Sequence, residues 1–310
     1  MSSAQTMKTG AFRSLLVPVD LSPLSDRVVG RASSLPIAAG GTVTLLHVVP
    51  QSLPARARRQ AEKDARTALA GEARHTSKAL GPEVAVAHDV RFGAPAAEIA
   101  DHAARVKADL IVMGRGVGRP MRDSFLGSTA ERVIRQGHRP TLVVRLPARA
   151  PYRRPMLGLD LDDAAGAVLA MLFRVIPPPR PRVAVVHAHD APYLGMAHAA
   201  LSTEEIEEEE HRLRPTVTAQ LARILAGSRP APRAAADDEP AFQTHVRFGD
   251  PRSVIKAAVK QLAPDLLVLG TRGHSGLSQV FLGTVAGEIL RDVRCDVLVV
   301  PPGRPARRRG

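Results

Sequence analysis

Residues 265–293 read DLLVLG, TRGHSGLSQVFL and GTVAGEILRDV in succession. Leu266–Leu269 is a short unbroken apolar run, the pattern of a strand buried on both faces of a sheet. Gly270 ends it. Gly273, Gly276 and Gly283 follow before Thr284 opens a helical pattern through Val285, Ala286, Ile289, Leu290 and Val293. Strand, glycine-rich loop and helix start, in that order, let a chain present main-chain N–H groups to an anion. Glycine permits positive φ and close backbone approach, and the first helical turn offers unpaired donors at the positive end of the dipole. The stretch therefore predicts a phosphate-binding loop or, on the plainer reading, a glycine-rich connection that binds nothing. No G-x-x-x-x-G-K-[S/T] is present, which removes a Walker-type loop, and no G-x-G-x-x-G follows the first strand of either half.

The same unit occurs twice. Asp109–Gly114 (DLIVMG) maps onto Asp265–Gly270 at an offset of 156 residues. So do Val90–Pro95 onto Val246–Pro251, Phe125–Ser128 onto Phe281–Thr284 and Leu142–Val144 onto Leu298–Val300. Nearer the N-terminus the offset is 140, pairing Asp20 with Asp160 and His47 with His187. The difference of 16 is an insertion in the second copy between His187 and Arg247, which holds the acidic run Glu204–Glu210 and the loop Ser228–Pro240.

Each copy alternates strands with helices. In the first, strands are expected at Ser14–Val19, Thr42–Val49, Val84–Val90, Leu110–Met113 and Thr141–Arg145. A helix is expected over Leu24–Ala39, with Ser22 as cap, Pro23 at its first position and Gly40-Gly41 as its end. Further helices are expected over Ala55–Leu80, over Ala96–Val106 and up to Gln136. The second copy places strands near Met156–Leu159, Arg182–Ala188, Phe242–Val246, Leu266–Leu269 and Val297–Val300. This order predicts an α/β fold of two doubly wound, five-stranded parallel sheets in tandem, Rossmann-like in kind. The proline- and arginine-rich Pro147–Pro155 is the expected boundary, giving domains over 1–148 and 155–302 and a basic tail over 303–310. Ligands of such sheets sit beyond the carboxyl ends of the strands where chain order reverses. Asp20 and Gly114 in one copy, and Asp160 and Gly270 in the other, fall at those places.

Composition bounds the partners. Hydrophobic residues make up 45% of the 310, with no Trp and two Tyr, so aromatic platforms for single-stranded nucleic acid are not expected. Cys295 is the sole cysteine; no intrachain disulfide can form, and it reads as a small buried residue in a reducing compartment. No stretch approaches the ~20 apolar residues of a membrane span. The opening MSSAQTMKTGAF lacks the apolar core of a signal peptide, so cytoplasm is the expected location. Of the net charge of +13, residues 1–150 carry +10 and the remainder +3, which concerns association with polyanions rather than fold.

Gly270, two residues, Gly273, nine residues and then Gly283-Thr284 reproduce the G-x2-G-x9-G-[S/T] signature of ATP-binding universal stress proteins. Nearly the whole chain resembles a tandem pair of that family. The resemblance implies an adenine-nucleotide-binding fold in which Asp160 contacts the adenosine and His187 and Ala188 lie near the base. It implies a phosphate loop of Gly270, Gly273, Gly276, Gly283, Thr284 and Val285, with Arg272 and His274 adding charge. The first copy keeps Asp20, Gly114, Gly127 and Ser128, but Val117 and Pro120 stand where the second has Gly273 and Gly276. A β-branched residue resists positive φ and proline removes a donor, so the first site is expected to be degenerate. In the second copy, Asp160, Asp162 and Asp163 would repel a triphosphate unless a divalent cation such as Mg²⁺ bridges them. Their plainer reading is capping of the next helix.

The resemblance implies a stress-response or signalling protein that binds ATP in its second domain and acts as a nucleotide-dependent switch. It also implies that the two copies form an intramolecular pseudo-dimer through Leu142–Val144 and Leu298–Val300, with a further homodimer open. Two other classes are carried: an adaptor that binds protein or polyanions without nucleotide, and a slow ATPase. No Ser-His-Asp, Cys-His or paired-carboxylate set can be assigned, so no catalytic residue is named, and the histidines show no spacing for a metal.

Overall fold

The computed structural model describes residues 10–115, 129–136, 138–162, 164–189, 202–227, 241–271 and 284–302. The chain divides into two compact units: Met1–Pro151 with Phe173–Pro177, and Tyr152–Leu172 with Pro178–Gly310. Each is an α/β unit built on five parallel strands.

In the first unit the strands are β1 (Phe12–Pro18), β2 (Ile37–Val49), β3 (Ala85–Phe92), β4 (Leu110–Gly114) and β5 (Thr141–Val144), in the spatial order β3-β2-β1-β4-β5. The helices are α1 (Ser25–Ser33), α2 (Ala55–Leu80), α3 (Pro95–Arg105) and α4 (Thr129–Gln136). Chain order reverses between β1 and β4, which are paired in register at Leu15↔Leu110 and Leu16↔Ile111. Leu15, Leu16, Leu45, Leu46, Leu110, Ile111 and Leu142 are all but inaccessible to water. Each such side chain contributes roughly 1.5–3 kcal/mol relative to exposure. The run Leu110–Met113 is buried throughout, as a central parallel strand with helices on both faces requires.

One expected element differs. The first helix covers Ser25–Ser33 rather than Leu24–Ala39, and Ile37–Gly41 belong to β2. Pro36 is the cause: it forces Leu35 out of the helical region and removes a donor, so the helix closes at Ser33. Ser34 Oγ then donates to the Arg31 carbonyl (2.8 Å), and the Phe12 N–H donates to the Pro36 carbonyl (2.7 Å). The returning chain pairs Ile37 with Phe12 and slips register before Ser14↔Thr42. Gly40, at φ +75°, makes the slip, and a Cβ on Gly41 would lie 2.8 Å from the Ala38 carbonyl.

The second unit repeats the plan with β6 (Pro155–Gly158), β7 (Val183–His189), β8 (Phe242–Phe248), β9 (Leu266–Gly270) and β10 (Asp296–Val300), in the order β10-β9-β6-β7-β8. Its helices are α5 (Ala165–Val175), α6 (Thr203–Gly227), α7 (Pro251–Leu262) and α8 (Thr284–Asp292). Here order reverses between β6 and β9, where Gly158 faces Leu269. The acidic run lies on α6 as a largely solvated helical face. Ser202 caps it: Ser202 Oγ accepts from the Glu205 N–H (3.2 Å), while Glu205 Oε2 accepts from the Ser202 N–H (2.7 Å). The Arg-Phe-Gly turns lead from β3 into α3 and from β8 into α7, with Gly93 and Gly249 at φ +156° and +120°. Asp250 caps α7 by accepting from the Ser253 N–H at 3.0 Å.

Candidate functional site

The parallel order of the second unit brings three strand ends into one row. β6 lies between β9 and β7, with Gly158 opposite Leu269 on one side and Val186 on the other. Asp160 follows β6, Gly270 ends β9, and His187, Ala188 and His189 end β7, so these residues share the carboxyl edge of the sheet. Asp160 is half-buried, and its Oδ1 accepts from the Leu161 N–H at 2.8 Å. His187 is 3% exposed, and its Nδ1 lies 2.8 Å from the Leu159 carbonyl. A carbonyl only accepts, so Nδ1 carries the proton and the ring is fixed to the end of the neighbouring strand. A Cβ on Gly270 would approach Val168 Cγ2 at 3.4 Å, so a side chain here is tight against α5.

The helix expected after the loop begins at Thr284, with Val285 half-buried in its first turn. Its first N–H groups have no partner within the helix, the condition for anion binding. Arg272, Gly273, His274, Gly276 and Gly283 lie outside the described residues, as does the Thr284 side chain. Of the acidic cluster, Asp162 is a helix-start residue: its Oδ1 accepts from the Ala164 N–H (3.0 Å) and its carbonyl from the Ala165 N–H (3.2 Å), where α5 begins. Asp163 is outside the described residues.

The first unit places Asp20 and Gly114 at the matching edge, past β1 and at the end of β4. His47 Nδ1 again lies 2.8 Å from the carbonyl after the first strand, that of Val19. The carboxylate differs. Asp20 Oδ1 accepts from the Ser22 N–H (3.1 Å), Ser22 Oγ (2.7 Å) and Ser25 Oγ (2.9 Å). Partial burial pushes its pKa up, but the hydrogen bonds from Ser22 and Ser25 prevail and hold it below the usual value. Leu21, at φ +59°, makes the turn that closes this cluster. Asp162 and Ala165 stand at the places of Ser22 and Ser25 in the second copy, so the two serines that hold Asp20 have no counterpart there. Gly127 and Ser128 lie outside the described residues.

The universal stress protein family matches residues 11–145 and, a second time, 151–301. The chain belongs to the universal stress protein family. Universal stress protein E of Salmonella typhi is 44% identical over 59 residues, 19% of this chain and 19% of that protein. Universal stress protein MJ0531 of Methanocaldococcus jannaschii is 31% identical over 144 residues, covering 44% of this chain and 85% of its own length. The match to the first of these relatives thus spans about a fifth of its length. Among solved structures, a universal stress protein from Archaeoglobus fulgidus DSM 4304 has a TM-score of 0.62 at 16% identity, over 94% of this chain and 96% of its own. Protein PA1789 of Pseudomonas aeruginosa PAO1 also scores 0.62, at 18% identity, over 95% and 94%. At such identities the likeness speaks to the fold.

In this universal stress protein tandem, sequence reading overlooked an aromatic row at the second edge. The His187 and His189 rings are 6.1 Å apart, and His189 meets Phe248 edge-on at 5.3 Å. Arg214 of α6 covers Phe248 from 5.1 Å. The one available signal was the alternation His187-Ala188-His189, which sends both rings to the same face of β7. Among the described residues, no group of three His, Cys, Asp or Glu is placed to hold a metal, and no helix is long and apolar enough to cross a membrane.

Proposed function

We propose that the second domain binds ATP and that nucleotide occupancy switches the protein's choice of partner. One observation carries this reading: Asp160, His187 and Gly270 share adjacent strand ends at the point where chain order reverses, and the loop leaving Gly270 leads into the start of α8. These groups suit an adenine nucleotide. Asp160, half-buried just past the end of β6, is suited to accept from ribose hydroxyls. Ala188 and His189, partly exposed at the end of β7, would border the base, while buried His187 fixes that strand end to Leu159. The signature glycines and the α8 N-terminus would take the phosphates. Where Mg²⁺ accompanies the nucleotide, it would neutralise phosphate charge near Asp160. Asp162 is already committed to starting α5. The first domain is read as degenerate, since Asp20 is held by its own serines and its loop carries Val117 and Pro120.

Calorimetric titration with ATP tests the reading. The wild-type protein should bind one nucleotide per chain, and Gly273→Val or Gly283→Val should weaken binding at least about tenfold by blocking positive φ and close approach. Asp160→Ala should weaken it while Asp20→Ala leaves it unaltered. Equal affinity in wild type and both loop variants would refute the assignment. Nucleotide found by mass spectrometry in the purified protein would support it directly.

A further inference from the structure

In the first unit β3 is the edge strand, hydrogen-bonded to β2 on one side only. Exposed strand edges normally carry a device that prevents another chain from pairing there. The second unit has one. Arg214 of α6 reaches over the β8 edge, donates from Nη1 at 2.8 Å to the carbonyl of Val246, the counterpart of Val90, and covers the Phe248 ring. In the first unit no described side chain reaches the carbonyls of Ala85–His88. Beyond this stretch the Val90 amide is satisfied by Asp89 Oδ1 at 2.8 Å. Open edge therefore runs over Ala85–His88, of which Ala85, Ala87 and His88 are exposed.

Beside this edge the C-terminal half of α2 leaves a groove of about 690 Å³, lined by Ala73, Arg74, Ser77, Lys78, Val86 and His88. The groove exists because α2 turns small residues such as Ala73 toward the sheet, so helix and edge strand do not close on each other. Its rim is cationic. Arg74 and Lys78 are exposed and have no ion-pair partner among the described residues, on a unit that carries most of the net charge. The floor, from Ala73 and Val86, is apolar. The arrangement has what strand addition needs: outward main-chain groups on alternate residues, an apolar floor for alternate side chains and fixed charge on the rim.

We infer that the Ala85–His88 edge and the α2 groove form a docking site for an extended acidic peptide, added as a sixth strand beside β3. The chain's own acidic run does not supply the ligand in extended form, since Glu204–Glu210 is held in α6 by the Ser202–Glu205 cap. The proposal does not rest on the ATP reading.

The test uses the full chain and a fluorescently labelled peptide alternating Glu and Val, followed by anisotropy. Binding is expected, with hydrogen-exchange protection gained at Ala85–His88. Arg74→Glu with Lys78→Glu should weaken it about tenfold or more. Both positions are exposed, so circular dichroism should show an unaltered fold. A second arm leaves the protein untouched: the same peptide N-methylated at alternate residues should lose binding, because strand pairing needs its N–H groups. No binding of the peptide, equal binding by the charge-reversed protein, or equal binding of the N-methylated peptide would each overturn the proposal. So would equal competition by a single-stranded oligonucleotide, which would mark a general polyanion surface.

Discussion

Tyr152 Oη donates a 2.7 Å hydrogen bond to Asp296 Oδ2, joining two buried side chains 144 residues apart in sequence. By the repeat offsets the first copy has Phe12 and Pro140 at these places, so this buried polar pair has no counterpart there. Tyr152→Phe keeps the ring and removes the donor to a carboxylate. The expected cost is about 2 kcal/mol, read as a lower urea midpoint for the second unit. An unchanged midpoint would show that the pair is not stabilising.

His102 on α3 is 4% exposed, and its Nδ1 stands 3.7 Å from Asp89 Oδ2, which Arg91 Nε holds at 2.9 Å. Burial first, and then Arg105 and Arg91, push its pKa below the ordinary imidazole value, against the pull of Asp89 and Glu98. The folded protein thus binds this proton less readily than the unfolded chain does. The stability this confers is complete above the ordinary value of ~6.5 and is lost as pH falls through it toward the folded value. Melting temperature should therefore drop on acidification in this window. His102→Ala, which installs the residue found at Ala258 of the second copy, should make the drop shallower. Parallel curves for the two proteins would contradict this.

Gly158 on β6 is closely overlain by its neighbour strand. A Cβ there would lie 2.6 Å from Leu269 Cδ2 and 3.5 Å from Ile255 Cδ1. Gly158→Ala should cost about 1–3 kcal/mol through overpacking. In the Gly158→Ala, Leu269→Ala double variant the loss should fall short of the sum of the singles, since removing the Leu269 branch makes room. Strict additivity would mean that the two sites do not share space.

Ala263 closes α7 in the left-handed region, at φ +43° and ψ +57°, and Lys107, its counterpart, sits at φ +50°. Side chains other than glycine pay a steric cost of roughly 1–2 kcal/mol there. Ala263→Gly should raise stability by up to about 1 kcal/mol, part of the gain being offset by glycine's greater freedom in the unfolded chain. Thermal melting that moves downward would count against it.

Asp250 caps α7 through the Ser253 N–H and Ser253 Oγ, each at 3.0 Å. Burial raises its pKa, but those bonds and Arg252 hold it lower than an ordinary aspartate. The cap's contribution is full above the unfolded value and is lost as pH falls through the folded one. Asp250→Ala should cost about 1 kcal/mol at neutral pH and much less in strong acid, as chemical unfolding at the two conditions will show.

The amino-acid sequence by itself determined the repeat, the alternation of strands with helices, and the residues that end each strand. These are local or periodic properties: Leu266–Leu269 reads as a buried strand and α2 as Ala55–Leu80 whatever surrounds them. What tertiary structure alone decided concerns pairs that meet only when strands come into register. Pro36 could be read, but the pull of Phe12 on Ile37 that shortened α1 could not. Asp109 and Asp265 each accept from two amides at the start of the first strand of their unit, at Arg13 and Ser14 and at Arg153 and Arg154. The serine clamp on Asp20, the histidine fixed to Leu159 and the open edge at Ala85–His88 are likewise set by neighbours in space. A side chain's hydrogen-bond partner depends on three-dimensional register, and the one-dimensional pattern fixes which face it presents but not what it meets there.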